Sequence, residues 1–191
     1  MVHEIIKYGH PVLRQKGARI ETVTPEIKKL IADMLATMAE NHGVGLAAQQ
    51  IGVAKQLTVI DVSVVTDRPS TLELDGKSAD PASFMPLVLI NPVIKPAGEA
   101  VTGGEGCLSF PEIFAEIARP GTVEVEALDA KGKPIAFRCG GLLARAVQHE
   151  TDHLNGILFI DRMDKKTKAE LQDELDDLQA ATKKTLAKTK N

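Results

Sequence analysis

The chain has no Trp, one Tyr and five Phe among 191 residues. So few rings leave little for the stacking platforms that grip single-stranded nucleic acid. Positive charge is short as well, with 23 Lys and Arg against 26 Asp and Glu and a formal net charge of −3. That balance excludes a general electrostatic hold on a phosphate backbone, which needs clustered cations. No run of about 18 apolar residues occurs, so no segment qualifies as a membrane-crossing helix. The first residues, MVHEIIK, carry charge where a signal peptide needs an apolar stretch, which points to the cytoplasm. Only two cysteines occur, Cys107 and Cys139. In a reducing compartment they are not expected to pair. Each is then a buried apolar residue, a reactive thiol or a metal ligand.

What is present is the composition of an ordinary globular protein, 43% apolar and 26% charged, and one domain over residues 1–191 is expected. Thr24-Pro25-Glu26 announces a helix, with Pro at the first helical position. Ile27, Leu30, Ile31, Met34, Leu35 and Met38 then form one apolar face, and Asn41-His42-Gly43 stops it, with Gly43 free to turn left-handed. QLTVID (56–61) and LVLIN (87–91) read as short strands, being rich in β-branched residues. The polar stretch 62–86, with three prolines, is expected as a surface loop insertion. Residues 98–106 are rich in glycine.

Thr122–Leu128 alternates apolar and acidic residues, a strand with one wet face, and a turn over 129–132 returns it as a hairpin through 134–138. The pattern predicts a second helix over 142–155, apolar on much of its circumference, and a last one over 167–187. In the latter, Leu171, Leu175 and Leu178 make a narrow stripe, and 165–191 forms a C-terminal helix and tail. Together these elements predict an α+β fold, with mostly antiparallel strands around a buried central helix.

The strongest chemical signal lies on that helix: His149-Glu150-Thr151-Asp152-His153. Residues four apart share a helix face, so two imidazoles can hold one metal ion while Glu150 reaches a water beside it. A catalytic metal normally takes three protein ligands. Acidic candidates for the third are Glu170 and Glu174, near the spacing used by zinc peptidases. The competing candidate is Cys107, wrapped by glycines in GGEGCLS (103–109). A Cys-His-His set suits Fe(II) or Zn(II) with the thiol deprotonated. Cys139, at a strand end, is expected to be a packing residue. A third segment, GVGLAAQQ (43–50), offers glycine-exposed backbone and a glutamine amide. It lacks the Lys-Ser/Thr ending of a phosphate cradle.

GVGLAAQQ, EGCLS (105–109) and QHETDHLNG (148–156) resemble, in the same order, the three signature motifs of the peptide deformylases. The resemblance spans roughly residues 4–180, with every signature position matched. It implies that Cys107, His149 and His153 are metal ligands and that Glu150 is the general acid/base. It also implies that Gln50 and the backbone N–H of Leu108 bind an oxyanion, and that the Gly45 backbone pairs with the substrate peptide. The implied metal is Fe(II), replaceable by zinc, nickel or cobalt. The implied activity is removal of the N-formyl group from the initiator methionine of nascent chains.

A methionine side chain then needs a pocket, for which Leu46, Leu142 and Ala146 are candidates. A substrate at the ribosome makes the lysine-bearing end, 183–190, a candidate contact; a C-terminal truncation with unchanged ribosome binding would dispose of it. The chain departs from the shortest bacterial members in its longer 62–86 segment, and Ile113-Phe114 stand where some relatives carry polar or basic residues. Two other readings compete: a zinc peptidase using Glu170 or Glu174, and a non-enzymatic metal or thiol sensor. Glu150, useless as a fourth ligand but well placed as a base, argues against the sensor.

Overall fold

The computed structural model describes residues 1–188. Its first long helix, α1 (Pro25–Glu40), begins as the Thr-Pro signal requires, with the Thr24 hydroxyl accepting from the Ile27 amide. Such a cap satisfies one of the helix's orphan N–H groups. Ile27, Ile31, Met34 and Met38 are buried along one face. At its end the left-handed residue is His42 (φ 54°), not Gly43. Gly43 is spent differently, since a Cβ there would meet the Leu108 side chain at 2.9 Å.

Seven strands make one sheet: β1 (Gly45–Ala47), β2 (Leu57–Ile60), β3 (Ser70–Leu74), β4 (Lys77–Ala79), β5 (Leu87–Cys107), β6 (Phe110–Leu128) and β7 (Pro134–Gly140). Their order is β1-β2-β5-β6-β7-β3-β4, and every ladder between them is antiparallel. Residues 98–106, too glycine-rich to read as a strand, continue β5. They are held there by cross-strand pairing with β6 along a ribbon that shifts register three times. This ribbon closes at Cys107 opposite Phe110, with Leu108-Ser109 as its turn. The fold is therefore α+β.

The helix α2 (Gly141–Leu154) carries the HETDH run, and Leu142 through Leu154 are all buried. It packs against β1, β2, β3, β5, β6 and β7. Its apolar residues, including Leu142, Leu143 and Val147, join Leu89, Val123 and Val125 of the sheet in one core cluster. Cys139 sits in the same cluster, 1% exposed, and burial pushes its thiol up to about 12. That is an inert packing thiol.

The segment 62–86 is more than the surface loop expected from its prolines. It contains the β3–β4 hairpin, whose β3 pairs with β7, and Leu72 is buried in the core. It also completes α2. Gly140 has no side chain to cap that helix, and the Ser70 hydroxyl accepts from the Leu143 amide instead. The period-2 signal was too short to see: Leu72 is the one fully buried residue of five in β3.

The last helical stretch is two pieces, α3 (Lys165–Glu170) and α4 (Gln172–Lys188), broken at Leu171. Leu175 alone is buried in α4. It packs with Leu13, Phe110 and Phe159, flanked by Leu171 and Leu178. The rest of the stripe's circumference is polar. Lys183, Lys184 and Lys188 lie on α4, whereas the end of the 183–190 patch and of the 165–191 tail, residues 189–191, lies outside the described residues.

Candidate active site

Two elements bring the candidate ligands together. Cys107 comes from the tip of the β5–β6 hairpin, His149 and His153 from α2. Their ligating atoms lie within 4.8 Å of one another, and Cys107 Sγ stands 3.3 Å from His153 Nε2. One thiol and two imidazoles at this spacing fit an ion whose bonds run about 2.0–2.3 Å. Glu170 and Glu174 are exposed on α3 and α4, and Glu170 pairs with Lys166. Burial of Leu175 turns the acids of that region to solvent, so the acidic third ligand of the peptidase reading is overturned.

Behind the histidines lies a charge network that sequence reasoning left unassigned. The Nδ1 of His149 is 3.0 Å from Glu105 Oε2. Arg119 donates to both oxygens of that carboxylate, from Nε at 2.6 Å and Nη2 at 3.0 Å, and Arg145 Nη1 adds a third guanidinium contact at 2.8 Å. Burial would raise the Glu105 pKa, yet hydrogen bonds from His149 and Arg119 outweigh it and hold the carboxyl at about 2. An ionised Glu105 makes Nδ1 of His149 the donor and leaves Nε2 for a metal, the orientation carboxylates impose on ligating histidines.

Arg145 also donates to the carbonyls of Val101, Gly103 and Ile117. It thereby ties α2 to the strands that carry Cys107. Its guanidinium fits because residue 103 is glycine: a Cβ there would meet Nη2 at 3.1 Å. Arg119 reaches on to Asp152, which Arg162 also holds. The readable signal was Arg145 itself, a cation one turn before His149 on an otherwise buried helix. For Arg119 the sequence holds none.

Glu150 has the opposite surroundings. Burial pushes its carboxyl up to about 7, although the charge of His149 opposes this, and its Oε2 has no hydrogen-bond partner among the described residues. The carboxylate lies against β1, where a Cβ on Gly45 would fall 2.4 Å from Oε1. Gln50, on a 3-10 turn (Ala48–Ile51), has its amide fixed by the Ala47 N–H donating to Oε1 at 2.8 Å. Its Nε2 therefore points to Cys107 Sγ (3.5 Å) and Ser109 Oγ (3.3 Å).

These groups share a cavity of about 390 Å³, lined by Gly45, Gln50, Cys107, Leu108, His149 and Glu150, with Leu142 and Ala146 in its wall. Leu46 is elsewhere. In a strand successive side chains take opposite faces, and Leu46 packs with Met34, Met38 and Leu57 in the core under α1. Phe114 is exposed at the cavity rim, its ring against Gly106, whereas Ile113 is buried.

Residues 2–169 match the family described as Polypeptide deformylase. The chain belongs to the polypeptide deformylase family. It is accordingly an enzyme, of the hydrolase class. A peptide deformylase of Opitutus terrae is 45% identical over 186 residues, covering 96% of this chain and 92% of that protein. One of Methylacidiphilum infernorum is 43% identical, covering 92% of each. Among solved structures, an Arabidopsis thaliana peptide deformylase 1B aligns with a TM-score of 0.82 at 34% identity over 96% of this chain and 94% of that one. A Synechococcus elongatus peptide deformylase, solved with actinonin, aligns with a TM-score of 0.77 at 40% identity, covering 92% and 85%. Among the described residues no helix is long and apolar enough to cross a membrane.

Proposed function

We propose that this deformylase removes the N-formyl group from the initiator methionine of nascent polypeptides and releases formate. The observation that carries the reading is the placement of Glu150, buried with its Oε2 unpartnered among the described residues, in one cavity with Cys107 and His149 of the Cys107-His149-His153 cluster. These three ligands would hold Fe(II), or zinc, nickel or cobalt in its place. An ion held there would supply Lewis acidity to the formyl carbonyl and to water.

The remaining steps fall to the chain's own groups. Gln50 Nε2 and the Leu108 N–H donate to the formyl oxygen as it gains charge. Glu150 takes a proton from the attacking water and returns it to the methionine nitrogen as the C–N bond breaks. A carboxyl near 7 suits both halves of that exchange, because a proton carrier works best with its pKa near the working pH. β1 ends the sheet, pairing among the described residues with β2 alone, so its other edge is available to an extended peptide running past Gly45. Leu142 and Ala146 would receive the methionine side chain.

Formate release from a formyl-Met tripeptide, measured with anaerobically purified, iron-loaded protein, tests the reading. Formate and a free amine in equal amounts are expected. Absence of formate, or cleavage of internal peptide bonds instead, would refute it.

A further inference from the structure

Lys7 lies outside all three motif segments, yet its side chain lines the cavity. Three consecutive residues of the N-terminal segment clip two parts of the site together. The Ile6 N–H donates to the Gln50 carbonyl at 2.8 Å, and the Tyr8 N–H donates to the Ser109 carbonyl at 2.9 Å. Between them, Lys7 Nζ donates to the Leu108 carbonyl at 2.9 Å. The clip thus joins the turn that carries Gln50 to the hairpin tip Leu108-Ser109. Those are the two elements that carry the donors assigned to the formyl oxygen.

An ammonium is a costly way to satisfy one carbonyl. Lys7 is partly buried, and burial lowers its pKa from the usual lysine value, because desolvating a cation is unfavourable unless its charge is used. A hairpin tip, moreover, is fixed on its inner side by the ladder alone and needs an outer contact to hold its peptide planes. We propose that Lys7 is a positioning residue for the oxyanion site. By holding the Leu108 carbonyl it anchors the hairpin tip and so steadies the preceding Cys107-Leu108 peptide, which carries the Leu108 N–H, and its ammonium adds positive potential where the formyl oxygen gains charge. The inference rests on the deformylase reading given above.

Two substitutions test it. Lys7→Met removes the donor and the charge but keeps the stem, and Lys7→Arg keeps both. On a formyl-Met tripeptide, Lys7→Met is expected to lower kcat about tenfold, less than the 10²–10³ of losing an oxyanion donor outright. KM and metal content should stay within about twofold, and Lys7→Arg should recover most of kcat. Amide exchange at Leu108 should quicken in Lys7→Met and return in Lys7→Arg. An unchanged kcat overturns the proposal, as does a loss that appears in KM or in metal content. If the wild type releases no formate, the deformylase reading is what fails; unchanged Leu108 exchange would overturn the role of Lys7 even then.

Discussion

Glu105 and Glu150 are both buried glutamates beside His149, and their surroundings drive them in opposite directions. Glu105 receives hydrogen bonds from two arginines and from His149, and stays ionised at about 2. Glu150 is buried with one oxygen unpartnered among the described residues, and its carboxyl rises to about 7. Two carboxyls whose environments split their pKa values divide the labour of a site. The one that cannot change charge orients a ligand, and the one poised near neutrality moves protons.

The largest effect should come from Glu150→Gln, which keeps shape but removes the proton carrier. Turnover should fall by about 10²–10⁴, with metal content by elemental analysis unchanged. Retained turnover would erase the distinction between the two carboxyls. Gly45→Ala tests the same group through its neighbour, because the new Cβ would fall 2.4 Å from Glu150 Oε1. A displacement of about 1 Å in a catalytic group costs about 100-fold. Steady-state kinetics should therefore show a large loss in kcat, with circular dichroism unaltered.

Glu105→Gln attacks the other side of the comparison. It leaves Arg119 and Arg145 facing a neutral amide and frees His149 to rotate. Loss of such a supporting group weakens metal binding by about 10–100-fold, to be measured by competition with a chelator. An unchanged metal affinity would reduce Glu105 to a folding residue.

The contrast explains what was legible in the sequence. Cys107, His149, Glu150 and His153 stood out because polar, ligand-type residues at fixed spacing have no reason to sit among leucines and valines. Helices α1 and α2 were readable from 3.6-residue periodicity and their stop signals. Arg145 apart, the Glu105 network was not readable, because Glu105 lies 14 to 44 residues from its partners and meets them only through β5–β6 pairing and the docking of α2. The glycine-rich half of β5 escaped for a related reason: its glycines answer to neighbours across space, Arg145 against Gly103 and Phe114 against Gly106, and not to strand propensity. Leu46 failed as a pocket residue because nothing in a three-residue strand reveals which face is wet.

A third carboxylate carries the comparison to the surface. Asp161 accepts from Arg14 through both oxygens, which ties the turn Pro11–Arg14 to the chain beyond α2. The chemistry is that of Arg119 and Glu105, but Arg14 is 44% exposed and Asp161 32%, against 5% and 4%. Partial burial would raise the Asp161 pKa; the Arg14 hydrogen bond outweighs it and the net direction is down. A depressed carboxyl contributes stability above its unfolded value, 3.8, and loses it as pH falls through the lower folded value. Solvent screening limits such a pair to about 0.2–1 kcal/mol. Asp161→Asn should therefore lower the urea midpoint slightly at pH 7, leave metal affinity and kcat alone, and differ less and less from wild type as pH falls below 3.8. A stability loss at pH 7 well above about 1 kcal/mol would mean that burial is not what sets the worth of these ion pairs.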